Sequence, residues 1–234
     1  MAFKEKFRLL YKAHRLYFWA AGAAVILGVI LFVSAFTVKQ TVLRGMLVGT
    51  GVGADYQSLS RGFVESLGLD SSRGQIQFMD DIAYSANPEQ PGDNFGAIDL
   101  LTEYTARGYA DFMLGETEVM ESLAYSDFFV DLREVLTPEQ LDALEGKLLY
   151  VDKAVIRQLE QMALSQEYPE DFAVPDPASP QRMEEPVPVL VNVTGHETLK
   201  PLFGENTVLL AAAQNGGRSE ILRALVEYLA DIHF

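Results

Sequence analysis

The residues best suited to ligand chemistry form the segment Gly49-Thr50-Gly51-Val52-Gly53-Ala54, which follows an apolar run and precedes a helical pattern. Its G-x-G-x-x-A spacing is typical of turns that bring backbone N–H groups and a helix N-terminus towards an anion. Against a dinucleotide, Asp55 adds negative charge to the first helical turn, and Asp80-Asp81 come later than the usual interval of about 20 residues. We favour a tight turn here; contact with a small ligand is the second interpretation, and a nucleotide site is the least favoured.

A second candidate is Gly115-Glu116-Thr117, which follows a short apolar run. Open α/β sheets receive ligands at the carboxyl ends of their strands, so this segment is expected at the same edge as Gly49 and Thr50. The Glu116 carboxylate would suit a cation or an amine. It would equally well cap the helix that follows, and we favour the cap.

Other reactive groups form no recognisable constellation. His14, His196 and His233 are scattered and predict no metal site. Acids adjacent in sequence, such as Glu184-Glu185, do not face each other on one element, and no nucleophile elbow is present. The chain has no cysteine, which excludes disulfides, thiolate ligands and a cysteine nucleophile. The sequence therefore predicts no enzymatic activity, no cofactor and no metal.

The charge distribution separates a short basic beginning from a long acidic remainder. Of 18 basic and 33 acidic residues, five basic residues and one acid lie within 1–15, and none lies within 16–38. The remaining 39–234 therefore carry 13 basic and 32 acidic residues, a net charge of −19. A surface of this sign repels nucleic acid, which disfavours a DNA or RNA partner, and we expect none.

The stretch 16–38 has no charged residue over 23 positions. As a helix it reaches about 35 Å, which is enough to cross a bilayer core of about 30 Å. The basic residues before it place 1–15 in the cytoplasm and 39–234 outside, by the positive-inside rule. A cleaved signal peptide with Val33-Ser34-Ala35 as its cleavage site is the alternative. Secretory apolar regions are usually about 7–15 residues long, which favours a retained single-pass anchor in the cell membrane.

Small residues recur along this predicted helix at Ala20, Ala24 and Gly28. The four-residue spacing would place them on one face, where two helices can approach closely. Alanine and glycine are also common in membrane helices without any role in helix contacts, and we favour this interpretation. A homodimer or a membrane-protein partner is the alternative that this face allows.

The remainder alternates between strand-like and helical patterns. Strands are predicted over 42–48, 75–79, 111–114, 149–152, 187–193 and 208–213, and helices over 54–67, 96–107, 116–125, 138–148, 154–165 and 219–229. Strand–helix pairs in series predict an α/β domain with a mostly parallel sheet covered by helices on both faces. Residues 168–188 hold six of the ten prolines and several acids, which indicates an exposed loop.

Several segments resemble the extracellular solute-binding proteins of ABC transporters. The segments are Met46-Leu47-Val48-Gly49, Tyr109-Ala110-Asp111-Phe112-Met113-Leu114-Gly115, Phe129-Val130-Asp131-Leu132, Leu136-Thr137-Pro138-Glu139 and Leu225-Val226-Glu227-Tyr228-Leu229. The resemblance covers 43–148 and 187–230 and implies one lobe of a type II periplasmic-binding-protein fold. It is nearest to short, membrane-anchored relatives from Gram-positive bacteria.

The chain departs from that family in two respects. Only about forty residues, 149–186, remain for a second lobe, and no cysteine is available for a lipid anchor. The resemblance implies a membrane-anchored, extracytoplasmic binding or interaction protein that resembles the solute-binding family and takes a small solute. The alternative is a structural bitopic subunit of an envelope or ABC transporter complex. Fold is implied more strongly than transport, because function lies in sites rather than folds.

Overall fold

The structure, a computed structural model, describes residues 14–37, 39–50, 55–86, 94–166, 169 and 172–232. The chain divides into two compact units, Met1–Gln40 and Thr41–Phe234. The first contains helix α1 (Arg15–Thr37). The second is an α/β domain built on one six-stranded sheet.

Helix α1 spans 23 residues, with described side chains from Tyr17 to Phe32 that are largely exposed. When only the described residues are counted, no helix combines the length and the apolar character that a membrane crossing needs. The membrane span over 16–38 therefore stays a prediction from the sequence.

The sheet has the strand order β2-β1-β3-β6-β5-β4. Its strands are β1 (Gln40–Val48), β2 (Gly74–Ile82), β3 (Phe112–Glu116), β4 (Leu148–Asp152), β5 (Pro186–Asn192) and β6 (Val208–Ala212). β1 and β3 are parallel, whereas β3–β6, β6–β5 and β5–β4 are antiparallel. The sheet is therefore mixed.

The prediction of a mostly parallel sheet is wrong in its second half. A strand buried on both faces is apolar throughout in either direction, so its sequence does not show which way it runs. The β6 strand is buried at every position and lies antiparallel between β3 and β5. The direction of β6 is set by the route of the segment that connects it to the preceding strand. The apolar pattern of β6 carries no information about that route.

Helices cover both faces of the sheet, as predicted. They are α2 (Gln57–Ser66), α3 (Asn94–Ala106), α4 (Thr117–Leu123), α5 (Leu132–Val135), α6 (Pro138–Ala143), α7 (Lys153–Ser165), α8 (Lys200–Phe203) and α9 (Ser219–Ala230). Phe112 and Leu114 of β3 face one hydrophobic cluster with α2 and α9, whereas Met113 faces another with α3 and α4. Successive residues of this central strand thus pack alternately into the hydrophobic cores on the two faces of the sheet.

Local sequence signals at helix ends are confirmed in part. Thr137 and Gln140 form the expected capping box at the start of α6. The α6 helix ends at Ala143 rather than continuing to 148, because a turn of 3-10 helix over Glu145–Lys147 leads directly into β4.

The reduced second lobe expected over 149–186 is not a separate body. β4 pairs with β5 at the end of the single sheet, and α7 packs on β4. Forty residues cannot bury a core of their own, so they extend the existing one. Between α7 and β5 lies a segment that we call the strap, residues 172–185.

The strap covers the outer edge of the sheet at β4. The backbone N–H of Tyr150 donates to the carbonyl of Pro177 at 2.8 Å. The carboxylate of Asp152, which is 4% exposed, accepts the backbone N–H groups of Glu184 and Glu185 at 2.7 and 3.0 Å. An exposed strand edge invites pairing with other chains, and the strap removes that opportunity.

Candidate functional site

The two segments singled out in the sequence do meet at one edge of the sheet. Val48 pairs with Gly115 in the parallel β1–β3 ladder, which places Gly49 and Thr50 beside Glu116. Gly51 lies outside the described residues.

Packing accounts for most of this edge. A Cβ on Gly115 would lie 3.0 Å from the Met120 side chain, and one on Gly49, where φ is +79°, would lie 3.1 Å from Val119. Glu116 occupies the N-cap position of α4, but its side chain makes no capping bond and instead accepts from Asn206 at 2.7 Å. The favoured cap is therefore confirmed in position only: Glu116 is the N-cap residue, but its carboxylate makes no hydrogen bond to the helix. Ligand contact at this edge stays a prediction.

A cavity of about 550 Å³ lies at the opposite edge of the sheet, where β5 parts from β6. β5 and β6 pair only from Leu190–Ala211 to Asn192–Leu209. Beyond that point the segment Phe128–Val130 pairs with the end of β6, since Val130 donates to the Ala212 carbonyl and Gln214 to the Phe128 carbonyl. We call the resulting space the fork cavity.

The fork cavity has an apolar floor and a polar rim. Its apolar lining comes from Phe129, Val151, Ile156, Leu159, Val187 and Val189. Its charged lining comes from Asp127, Asp131, Glu134, Glu160, Lys153 and Arg157. A volume of this size and a mostly apolar wall with a few polar groups are typical of sites for small ligands.

Two of the charged lining groups are held by fixed partners. Arg133 donates through Nε and a terminal nitrogen to Asp131, at 2.9 and 2.6 Å. Burial alone would raise the pKa of Asp131, but these hydrogen bonds and the positive charges of Arg133 and Lys153 lower it. Arg157 forms a bidentate pair with Glu185 of the strap at 2.9 and 2.6 Å. These pairs neutralise the charges of Asp131 and Arg157 at the rim; the Arg157–Glu185 pair is exposed to solvent.

The other charged lining groups have no such partner. Within the described part of the chain, no cation lies within 4 Å of Asp127, Glu134 or Glu160, and no acid lies within 4 Å of the Lys153 ammonium. Among the described residues, Asp127 accepts only from the neutral amide of Gln214, at 2.9 Å. The free charge at the rim is therefore negative.

Tyr125 also lines the fork cavity, and its hydroxyl is buried with no hydrogen-bond partner among the described residues. Burial raises the pKa of this hydroxyl. The nearby backbone N–H of Asp152 acts in the opposite direction without reaching hydrogen-bond geometry. A buried hydroxyl without a partner costs about 1–3 kcal/mol. Because this hydroxyl oxygen is buried, it does not face the open space of the cavity.

A smaller cavity of about 230 Å³ adjoins the fork cavity, because Val130 and Glu134 line both. Its far wall holds the ion pair between Arg218 and Asp111, 3.0 Å apart. Asp111 is 4% exposed and also accepts the backbone N–H of Arg44 at 2.8 Å. Asp111 is thus a structural tie between β1 and the loop after β6.

The remaining predicted positions are placed as follows. Ala20, Ala24 and Gly28 are exposed on α1, and an added Cβ at Gly28 meets no atom within 4 Å. Nδ1 of His196 is hydrogen-bonded to the hydroxyl of Thr198, 2.8 Å away. His233 lies outside the described residues. Across the described ranges, no group of three or more histidines, cysteines and acids is arranged to hold a metal ion.

Sequence reasoning missed the fork cavity because its residues come from four distant segments. Only Phe129-Val130-Asp131-Leu132 was singled out, and for its resemblance rather than its chemistry. One signal was present in the sequence: Lys153 and Arg157 lie one helical turn apart, directly after a buried strand.

Comparison of the chain with protein-family models, with curated proteins and with solved structures finds no match. The likeness to solute-binding proteins therefore rests on the short segments quoted above.

Proposed function

We propose that this chain is a membrane-tethered, extracytoplasmic binding protein whose domain takes a small ligand into the fork cavity. The observation that carries the proposal is the cavity itself, with its apolar floor and with a rim on which three acids, Asp127, Glu134 and Glu160, have no cationic partner among the described residues. The fold that we propose for the domain is a variant of one solute-binding lobe. We propose binding rather than catalysis for this site. Two of its charged groups, Asp131 and Arg157, are already engaged in ion pairs with Arg133 and Glu185.

The tether in this proposal is α1. Its described side chains Val25, Ile26, Leu27, Val29 and Ile30 are each 57–66% exposed. Apolar side chains exposed over several helical turns are unfavourable in water and favourable in a bilayer. The basic residues that precede α1 favour a cytoplasmic N-terminus.

A blocked cavity tests the binding proposal. Leu159→Trp places an indole in the fork cavity, whereas Gln158→Trp adds the same side chain at an exposed neighbour that does not line it. We expect the wild type and Gln158→Trp to show the same set of hits in a thermal-shift screen of small soluble compounds. We expect Leu159→Trp to lose them. The full chain in neutral detergent micelles is used throughout.

Two results would contradict the binding proposal. One is the absence of any hit with the wild type across a chemically broad screen. The other is a set of hits that Leu159→Trp retains, since those compounds would bind elsewhere. Circular dichroism of both variants confirms that each is folded.

A charge in α1 tests the tether. Leu27→Arg is expected to disfavour membrane insertion by about 2.5–3.5 kcal/mol, because a guanidinium at the centre of a span must leave water. The measurement is the fraction of full chain that resists alkaline extraction from membranes. Leu69→Arg, at an apolar side chain that is 48% exposed on the domain, serves as the control and should leave that fraction unchanged. Complete extraction of the wild type would contradict the proposal.

A further inference from the structure

We infer that the fork cavity selects a cationic ligand: an ammonium or guanidinium group carried on an aliphatic stem. The inference rests on the proposed function, since it names the chemistry of the ligand for the same cavity. It is carried by the balance of paired and unpaired charge along the rim, together with the apolar floor below it.

The charge balance favours a cation. Four acids and two bases line the cavity, but Arg133 holds Asp131 and Glu185 holds Arg157. Three acids are left against Lys153. Their carboxylates have no cationic partner in the described part of the chain, and a ligand cation would supply one.

The electrostatic field of the domain acts in the same direction. Residues 39–234 carry a net charge of −19, which attracts cations and repels anions at long range. An acidic cleft with an apolar wall concentrates cations near its mouth. Salt should weaken this attraction, because it screens exposed charges.

The apolar floor suits the stem. Phe129, Ile156 and Leu159 line the cavity beside Val187 and Val189, so several methylene groups could be buried while each charged end remains at the polar rim. A short alkylamine leaves part of about 550 Å³ open, so the site also accommodates a lysine side chain presented by a peptide.

The positive charge of Lys153 repels a cationic ligand. Its removal should therefore increase the affinity, whereas most substitutions in a binding site decrease it. The ammonium of Lys153 lines the cavity without an acid within 4 Å among the described residues. Lys153→Gln removes a like charge and should therefore tighten the binding of a cation. A site for anions would respond in the opposite way, because it would lose its free cation.

The experiment is isothermal titration calorimetry of the full chain in neutral detergent at low salt. The probes are pentane-1,5-diamine, the uncharged pentane-1,5-diol and the anion glutarate, which share a five-carbon chain. We expect the diamine to bind at least about tenfold more tightly than the diol, and glutarate not to bind. Nα-acetyl-lysine methylamide forms a parallel arm: tighter binding than the diamine identifies a peptide as the source, and weaker binding a free amine.

Variants assign the effect to the cavity. The double change Glu134→Gln with Glu160→Gln should weaken the diamine about threefold to tenfold, and Lys153→Gln should tighten it about twofold to fivefold. Glu139→Gln removes an exposed acid outside the cavity and should change nothing. Leu159→Trp should abolish binding.

Each contrary result has a distinct meaning. Equal binding of the diol, or binding of glutarate, overturns the cationic ligand, as does weaker diamine binding by Lys153→Gln. If the diamine binds and Leu159→Trp leaves it unaffected, the cation sits elsewhere on the acidic surface, and the inference is again overturned. The diamine could also fail to bind while other compounds bind to the wild type and not to Leu159→Trp. The inference then fails, but the proposed function stands.

Discussion

Replacement of Gly45 by alanine is expected to destabilise the domain by about 1–3 kcal/mol, and replacement by valine by more. Gly45 is paired with Phe112 across the parallel β1–β3 ladder. A Cβ at position 45 would lie within 3.0 Å of three atoms of the Phe112 ring. That ring is fully buried and packs edge-on against Phe78, with 5.9 Å between centroids, so it has little room to move.

Chemical denaturation of the full chain measures this effect, and Gly146→Ala is the matched control. An added Cβ at Gly146 meets nothing within 4 Å, so we expect little change there. Phe112→Leu should partly rescue Gly45→Ala, because the smaller side chain frees the space that the methyl group needs. A double mutant whose destabilisation equals the sum of the two single changes would contradict the proposed clash.

Asp152→Ala is expected to cost about 3 kcal/mol or more of the free energy of unfolding. The buried carboxylate accepts three backbone N–H groups, from Ala154, Glu184 and Glu185, at 2.7–3.0 Å. Its loss removes the N-cap of α7 and leaves donors of the strap unpaired, at about 1–3 kcal/mol for each donor that is buried.

Asp152→Asn should cost less than alanine. An amide oxygen in place of Oδ1 keeps the bonds from Ala154 and Glu185, while the amide nitrogen faces the N–H of Glu184. Asp176→Ala is the control, since its carboxylate also accepts a backbone N–H, from Ala178, but is exposed. Equal effects of Asp152→Ala and Asp176→Ala would contradict the importance of burial.

The same carboxylate makes stability depend on pH. Burial alone would raise the pKa of Asp152, but the three backbone N–H groups outweigh it and lower the pKa below its ordinary value of 3.8. Because the folded pKa lies below the unfolded one, the contribution is fully present above about pH 4 and is lost as the pH falls through the folded pKa. Asp152→Asn should therefore show a shallower loss of stability on acidification than the wild type.

Local structure could be predicted where short-range chemistry determines it. The capping box of Thr137 and Gln140 and the left-handed Gly108 at the end of α3 follow from contacts within a few residues. The direction of β6 does not, because its neighbours Phe112 and Leu190 are distant in sequence, and its own five residues are buried whichever way they run.

The same distinction between local and distant contacts separates the part of the candidate site that could be predicted from the part that could not. Two glycine-containing turns after parallel strands were expected to meet at one edge, and Gly49 and Gly115 do. The fork cavity depends on where β5 leaves β6, on a single bridge between Phe129 and Ala213, and on a helix packed over both. None of these has a local signature, so the fork cavity could be found only from the folded chain.

The position of β6 also has a consequence for biosynthesis. β6 lies in the middle of the sheet, and it pairs with a strand from the first half of the chain: Thr117 and Thr207, which are hydrogen-bonded there, are 90 residues apart. A chain emerging from its N-terminus cannot close the sheet until β6 (Val208–Ala212) has been made. Pairing at such separation also slows folding. We therefore expect the nascent domain to remain open until β6 has been made, and to close only after this strand arrives.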